Sequence, residues 1–325
     1  MPDAPPRSCL LDVDSLGPGL DFTRLYGATG PCAQYGGTRP SEVAARLAGI
    51  EIAVSNKVRL DADTLAAADR LRLVCVAATG TNNVDLDAAR ERGITVCNAT
   101  GYATPAVVQH TFALILALAT NLEHYHAAAR DGRWAAHAHF CLLDAPIVEL
   151  AGRSLGIVGH GELGRGVARL GEAFGMEVLV AARPGQSPAD GRVAFDEVIE
   201  HADVISLHCP LTEDTRGLIG ARELARMQAS AFLVNTARGG IVDEAALADA
   251  LREGTIAGAG VDVLSEEPPR NGNPLLAGDI PNLVLTPHSA WGTLAARQRL
   301  IDQVAANIEA WRAGRPRNVV NGEPS

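Results

Sequence analysis

No stretch of this sequence is apolar for long enough to span a bilayer. The longest run, Phe112 to Ala119, falls far short of the ~20 residues a membrane helix needs and reads instead as a core helix. Cysteine is sparse. Six are present, Cys9, Cys32, Cys75, Cys97, Cys141 and Cys209, with no short paired spacing, which argues against a disulfide framework or a zinc cage and leaves them as small buried hydrophobes. Positive charge is also short: 28 Lys and Arg face 38 Asp and Glu, a formal net charge of -10. That mean field repels nucleic acid and anionic membrane alike, whereas a small anionic substrate needs only a local cationic pocket. No signal-peptide pattern precedes Leu10, because Pro2, Pro5 and Pro6 break the start, so a cytoplasmic protein is expected. The HxH pairs His124/His126 and His137/His139 lack a convincing third ligand, and no metal is expected.

What is present is enough for two domains. A chain of 325 residues that is 47% hydrophobic can bury two separate cores without crosslinks. Over the first hundred residues, Ser8 to Val13, Ile52 to Ser55, Leu73 to Ala77 and Thr95 to Cys97 read as strands, with helices over Glu42 to Leu47 and Asp63 to Ala68 between them. Pro105 to Arg130 reads as one long helix. A polar and aromatic arm around Trp134, His137, His139 and Phe140 follows and is a candidate dimer contact. A second series of strands covers Leu155 to Val158, Val178 to Ala181, Val204 to Leu207, Phe232 to Asn235, Ile256 to Val261 and Leu283 to Leu285. Leu294 to Arg312 reads as a helix packing back on the first domain. Strands alternating with helices imply an α/β protein with two doubly wound, parallel-sheet (Rossmann-like) domains and a cleft between them. The expected division is a flavodoxin-like substrate domain of residues 1–103 and 293–325, with a dinucleotide-binding domain of residues 104–292 inserted.

The dinucleotide expectation rests on Gly159-His160-Gly161-Glu162-Leu163-Gly164, which follows an apolar strand and opens a helical pattern running to Phe174. In GxGxxG the first glycine allows the tight turn, the second lets the backbone approach a pyrophosphate, and the third lets helix pack on strand. An NAD enzyme places an acid at the end of the next strand, to accept the ribose 2'-hydroxyl. Here that strand ends in Ala182 and Arg183. The acid that would repel a 2'-phosphate is missing, and Arg183 is suited to pairing with one, so NADP is expected to be tolerated or preferred. The reading in which Arg183 merely ends a strand and NAD is used stays open.

Three later segments each follow an apolar strand: Asn235-Thr236-Ala237-Arg238-Gly239-Gly240, Asp262-Val263-Leu264-Ser265-Glu266-Glu267-Pro268, and Thr286-Pro287-His288-Ser289-Ala290-Trp291. Singly, Arg238, Glu267 and His288 are ordinary loop residues. Together, at strand ends behind a dinucleotide loop, they read as an electrophilic anchor, an orienting carboxylate and a general acid/base. With these motifs the sequence resembles the D-isomer-specific 2-hydroxyacid dehydrogenases over nearly its whole length. Val76 to Asp85 and Pro287 to Trp291 look like the glycerate dehydrogenase (hydroxypyruvate reductase) branch of that family.

The resemblance implies a homodimeric oxidoreductase that moves a hydride between a nicotinamide cofactor and a small D-2-hydroxy acid or 2-keto acid. D-glycerate and hydroxypyruvate are the favoured pair, with glyoxylate also used. It implies that Arg238 binds the substrate carboxylate and keto oxygen, that His288 exchanges the proton, and that Glu267 orients it. The amides of Thr79, Gly80 and Thr81 complete the carboxylate site, and Asn56 and Lys57 lie near the substrate side chain. Asp262, His208, Cys209, Pro210, Thr236 and Ala237 border the cofactor beside the glycine loop. A dehydrogenase for a bulkier keto acid and a dinucleotide-sensing protein without turnover are the alternatives; the sensor would have no need of a proton donor.

Overall fold

The computed structural model describes residues 7–322. It divides into two compact units, Met1–Ala103 with Gly292–Ser325, and Thr104–Trp291.

In the first unit, strands β1 (Ser8–Leu10), β2 (Cys32–Gln34), β3 (Ile52–Ser55), β4 (Leu73–Val76) and β5 (Thr95–Cys97) form one parallel sheet in the order β2-β1-β3-β4-β5. Every residue of β1, β3 and β4 is buried, as expected where helices cover both faces of a parallel sheet. That double burial is why these strands read as continuous apolar runs. Strand β2 was not anticipated. It lies at the sheet edge, only half buried, and its three residues end in a glutamine, so it carries no apolar pattern to read. Helix Leu294–Arg312 belongs to this unit and buries Leu300, Ile301, Val304, Ala305 and Ile308. Thr293 caps it by accepting from Ala296 N, and Arg312 Nη2 donates to Thr29 O at 2.9 Å.

In the second unit, β6 (Ser154–Val158), β7 (Glu177–Val180), β8 (Val204–Leu207), β9 (Phe232–Asn235), β10 (Gly258–Val261) and β11 (Leu283–Leu285) form a parallel sheet in the order β11-β10-β9-β8-β6-β7. The order reverses at β6 and β8, and in such sheets the ligand crevice opens beyond the carboxyl ends of the strands flanking the reversal. The expected single helix from Pro105 to Arg130 is instead two, Thr104–Ala119 and Leu122–Arg130, bent by 62°. The break has a local cause. Thr120 Oγ1 donates back to Leu116 O, and Asn121 takes a left-handed backbone (φ 49°) while its amide donates to Pro146 O. Threonine and asparagine offer the backbone such alternatives to a helix. Among the described residues no single helix is long and apolar enough to cross a membrane.

Candidate active site

The glycine loop leaves β6 and enters helix Glu162–Ala173, with Gly161 at the N-cap. A side chain on Gly159 (φ 96°) would stand 2.5 Å from Cys209 N and 2.6 Å from His208 C, and one on Gly164 would stand 2.0 Å from Gly159 O. Both glycines are therefore demanded by the protein's own packing. Gly161 is different: a side chain there would meet nothing within 4 Å. The loop is thus crowded on its protein side and open at the position where a pyrophosphate approaches, in front of a helix N-terminus whose amides suit an anion. The facing segment after β8 supplies a second sign. His208 Nε2 lies 2.9 Å from Ser206 Oγ, and burial pushes its pKa down to about 4. Its Nδ1 is the one buried side-chain polar atom without a partner among the described residues. Orphaned buried atoms are rare and point to an unmet ligand. Cys209 is half buried, with its thiol pKa raised by burial, and Pro210 is exposed. Glu162 is exposed and accepts from Thr104 Oγ1 at 2.6 Å, while Leu163 is half buried.

At the end of β7, Ala182 is buried and Arg183 exposed. A second guanidinium, missed in the sequence, stands here: Arg192 Nη1 donates to Ala181 O at 3.3 Å. The pKa of His160 is lowered by burial first and then by Arg192 and Arg165. The surroundings of the glycine loop are cationic.

The three strand-end segments lie on β9, β10 and β11, which are neighbours in the sheet. Asn235, 2% exposed at the end of β9, brackets its loop by accepting from Ala237 N through Oδ1 and donating to Arg238 O through Nδ2. Arg238 is half buried and donates from Nη1 to Ala237 O at 2.7 Å. Thr236 Oγ1 is 2.9 Å from Thr111 Oγ1. Gly239 lets this loop touch the next, since an added side chain would stand 1.9 Å from Leu264 O. We expect Gly239→Ala to destabilise the protein by roughly 1–3 kcal/mol through overpacking and to lower turnover, checked by thermal melting beside initial rates; a wild-type melt would refute the contact.

In the next loop Glu267 accepts from Leu264 N through Oε1, and its Oε2 lies 2.6 Å from His288 Nδ1. A carboxylate held this way accepts a hydrogen bond from Nδ1–H and leaves Nε2 for proton exchange with a ligand. Glu244, another residue the sequence did not signal, steadies the loop by accepting from Ser265 N and Ser265 Oγ. Asp262, 1% exposed, accepts from Ser289 N and Ala290 N. An anchored imidazole with a carboxylate behind it can protonate a carbonyl oxygen, and a guanidinium at a strand end of the same sheet can hold an anion.

The first unit carries its own ordered strand ends. Asp12 receives the backbone N–H of both Asn56 and Lys57, at 2.9 and 2.6 Å. Asn56 is 4% exposed and donates from Nδ2 to Ser15 Oγ, whereas Lys57 is exposed. Thr79, at the start of the Thr79-Gly80-Thr81 turn, has its carbonyl held by Asn98 Nδ2 at 2.8 Å.

Comparison with known proteins bears on these arrangements. Residues 112–290 match the D-isomer specific 2-hydroxyacid dehydrogenase, NAD binding domain. The chain is 49% identical over 281 residues to a glycerate dehydrogenase of Methylorubrum extorquens, covering 86% of this chain and 88% of the relative. It is 36% identical over 320 residues to a hydroxypyruvate reductase of Blautia hydrogenotrophica, covering 96% and 98%. A solved NADPH-dependent glyoxylate/hydroxypyruvate reductase of Sinorhizobium meliloti, in complex with NADP and malonate, matches with a TM-score of 0.80 at 28% identity, over 97% of this chain and 96% of that one. The chain therefore belongs to the D-isomer-specific 2-hydroxyacid dehydrogenases, a family of nicotinamide-dependent oxidoreductases.

Proposed function

We propose that this enzyme interconverts hydroxypyruvate and D-glycerate and also reduces glyoxylate. The observation that carries the reading is the 2.6 Å contact of His288 Nδ1 with Glu267 Oε2, on the loops that follow β11 and β10, with Arg238 on the loop after β9. The substrate choice draws support from the relatives named as glycerate dehydrogenase and hydroxypyruvate reductase. The nicotinamide cofactor, when bound, supplies or accepts the hydride. In reduction Arg238 binds the carboxylate and keto oxygen and draws electron density from the carbonyl. His288, protonated, donates from Nε2 to that oxygen. Glu267 fixes the imidazole by its contact with Nδ1. In oxidation neutral His288 takes the alcohol proton. The amides of Thr79, Gly80 and Thr81 add to the carboxylate site. Lys57 meets the hydroxymethyl group, with Asn56 contributing the amide oxygen that its bond to Ser15 leaves available. Gly159, Gly161, Glu162, Leu163 and Gly164 hold the pyrophosphate side of the cofactor. His208, Cys209 and Pro210 flank its adenosine half, and Thr236, Ala237 and Asp262 its nicotinamide half. The deciding assay follows loss of reduced-nicotinamide absorbance with hydroxypyruvate, glyoxylate and pyruvate. Hydroxypyruvate should give the highest kcat/KM; no turnover of any of them, with cofactor still bound, would favour the sensor reading.

We further propose that NADP is accepted at least as well as NAD. Ala182 leaves the 2'-position without an acid, and Arg183 and Arg192 flank the end of β7. Ala182→Asp should lower kcat/KM for NADPH about tenfold or more relative to NADH, by repelling a 2'-phosphate and accepting from a 2'-hydroxyl. An unchanged ratio would sink this assignment.

A cytoplasmic homodimer completes the proposal. Leu122, Trp134, Phe140, Leu143 and Ile147, close in sequence, are each at least half exposed, and exposed apolar groups concentrated in one segment support an interface there. Light scattering after gel filtration should return twice the chain mass, and Phe140→Asp should shift it toward the monomer.

A further inference from the structure

Helix Thr104–Ala119 supplies none of the strand-end loops, yet it sends two consecutive polar side chains to the foot of two of them. Thr111 reaches Thr236 beside Arg238, as described above. His110 reaches the His288 loop: its Nε2 is 3.0 Å from Thr286 Oγ1. Thr286 Oγ1 in turn donates to Asp262 Oδ1 at 2.6 Å. Because the hydroxyl proton is committed to the carboxylate, the oxygen faces the ring as an acceptor, and Nε2 is the nitrogen that carries the hydrogen.

Asp262 is the hub. Besides the bonds from Ser289 N and Ala290 N, its backbone carbonyl receives His288 N at 2.7 Å. Residues 288 to 290 thus hang on one aspartate. This matters because His288 has φ 50°, a left-handed backbone that a residue with a side chain keeps only where its surroundings over-determine it. The carboxylate is 1% exposed and needs a polar or cationic partner at that depth. His110 Nε2, 3.5 Å from Oδ1, is the only basic side chain within ion-pair distance of it among the described residues.

We propose that His110 is a positioning residue for proton transfer: through Thr286 and Asp262 it holds the left-handed backbone at His288 and so the pose in which the imidazole meets its substrate. The proposal rests on the reading of His288 as the acid/base, and the test separates the two.

Four variants are compared, His110→Ala, His110→Gln, Thr286→Val and Thr286→Ser, each also combined with His288→Ala, with kcat, KM and cofactor dissociation constant read for each. Loss of geometry at a reacting group is costly, so His110→Ala and Thr286→Val should each lower kcat about ten- to a hundredfold at unchanged cofactor affinity. His110→Gln and Thr286→Ser, which keep the donor and the hydroxyl, should recover most of it. Adding His110→Ala or Thr286→Val to His288→Ala should cost nothing more, since a positioning effect vanishes with the group positioned. Wild-type kcat in either His110→Ala or Thr286→Val, or a loss that persists in the His288→Ala background, would overturn the proposal. If His110→Ala does not fold, Thr286→Val against Thr286→Ser decides alone. Full activity of His288→Ala itself would instead defeat the acid/base reading on which this one stands.

Discussion

Replacing His288 by alanine is expected to lower kcat for hydroxypyruvate about a hundred- to ten-thousandfold, the range lost with a positioned general acid, while cofactor affinity stays unchanged. The imidazole is the proton donor that Glu267 holds in place, and Arg238 cannot replace it because a guanidinium does not give up its proton in a protein. Glu267→Gln should cost less. Glutamine keeps a hydrogen bond of similar reach to Nδ1, at 2.6 Å in the native protein, but removes the charge that strengthens it. Initial rates, with cofactor titration by fluorescence, measure both. A His288→Ala enzyme of native kcat would remove the acid/base assignment altogether.

The parts of this protein legible from its sequence are those whose cause is local. Strands β3, β5, β8, β9 and β11 read off with their observed bounds, because each is a short, mostly apolar segment between turn residues, and β3, β8 and β9 are buried throughout. The glycine loop was legible because its constraint is steric: Gly159 and Gly164 have no room for a side chain. What stayed hidden depends on partners far along the chain. Strand β2 exists only as an edge on β1, and no pattern in Cys32–Gln34 announces it. The break at Asn121 is secured by a carbonyl 25 residues away, and the seating of Asn56 and Lys57 by Asp12, 44 and 45 residues away. His110 lies 176 residues from Thr286, in a helix whose apolar run explains the helix and conceals the histidine. Asn235 is a different omission. It begins the Asn235 to Gly240 segment, but its bracing role needs a turn geometry that residue order does not disclose.

Arg238→Lys is expected to lower kcat/KM about a hundred- to a thousandfold, the loss typical of removing an aimed donor from a developing oxyanion, although formal charge is kept. The site asks for shape as well as charge. A guanidinium presents a planar fork that can grip a carboxylate and a neighbouring keto oxygen together, whereas an ammonium is a compact, strongly hydrated point charge. The loop is built to aim such a fork: Asn235 holds the backbone on both sides of the arginine, and Nη1 is tied to Ala237 O at 2.7 Å. A lysine has no second nitrogen with which to keep that tie while binding substrate. Since Arg238 is only half buried and its loop is braced by Asn235 and Gly239, the variant should melt within about 0.5 kcal/mol of the native protein, as surface changes generally do. The loss should fall on both KM and kcat, because the same fork binds the ground-state carboxylate and polarises the carbonyl. A loss confined to KM would reduce Arg238 to a carboxylate anchor and would require another donor for the keto oxygen.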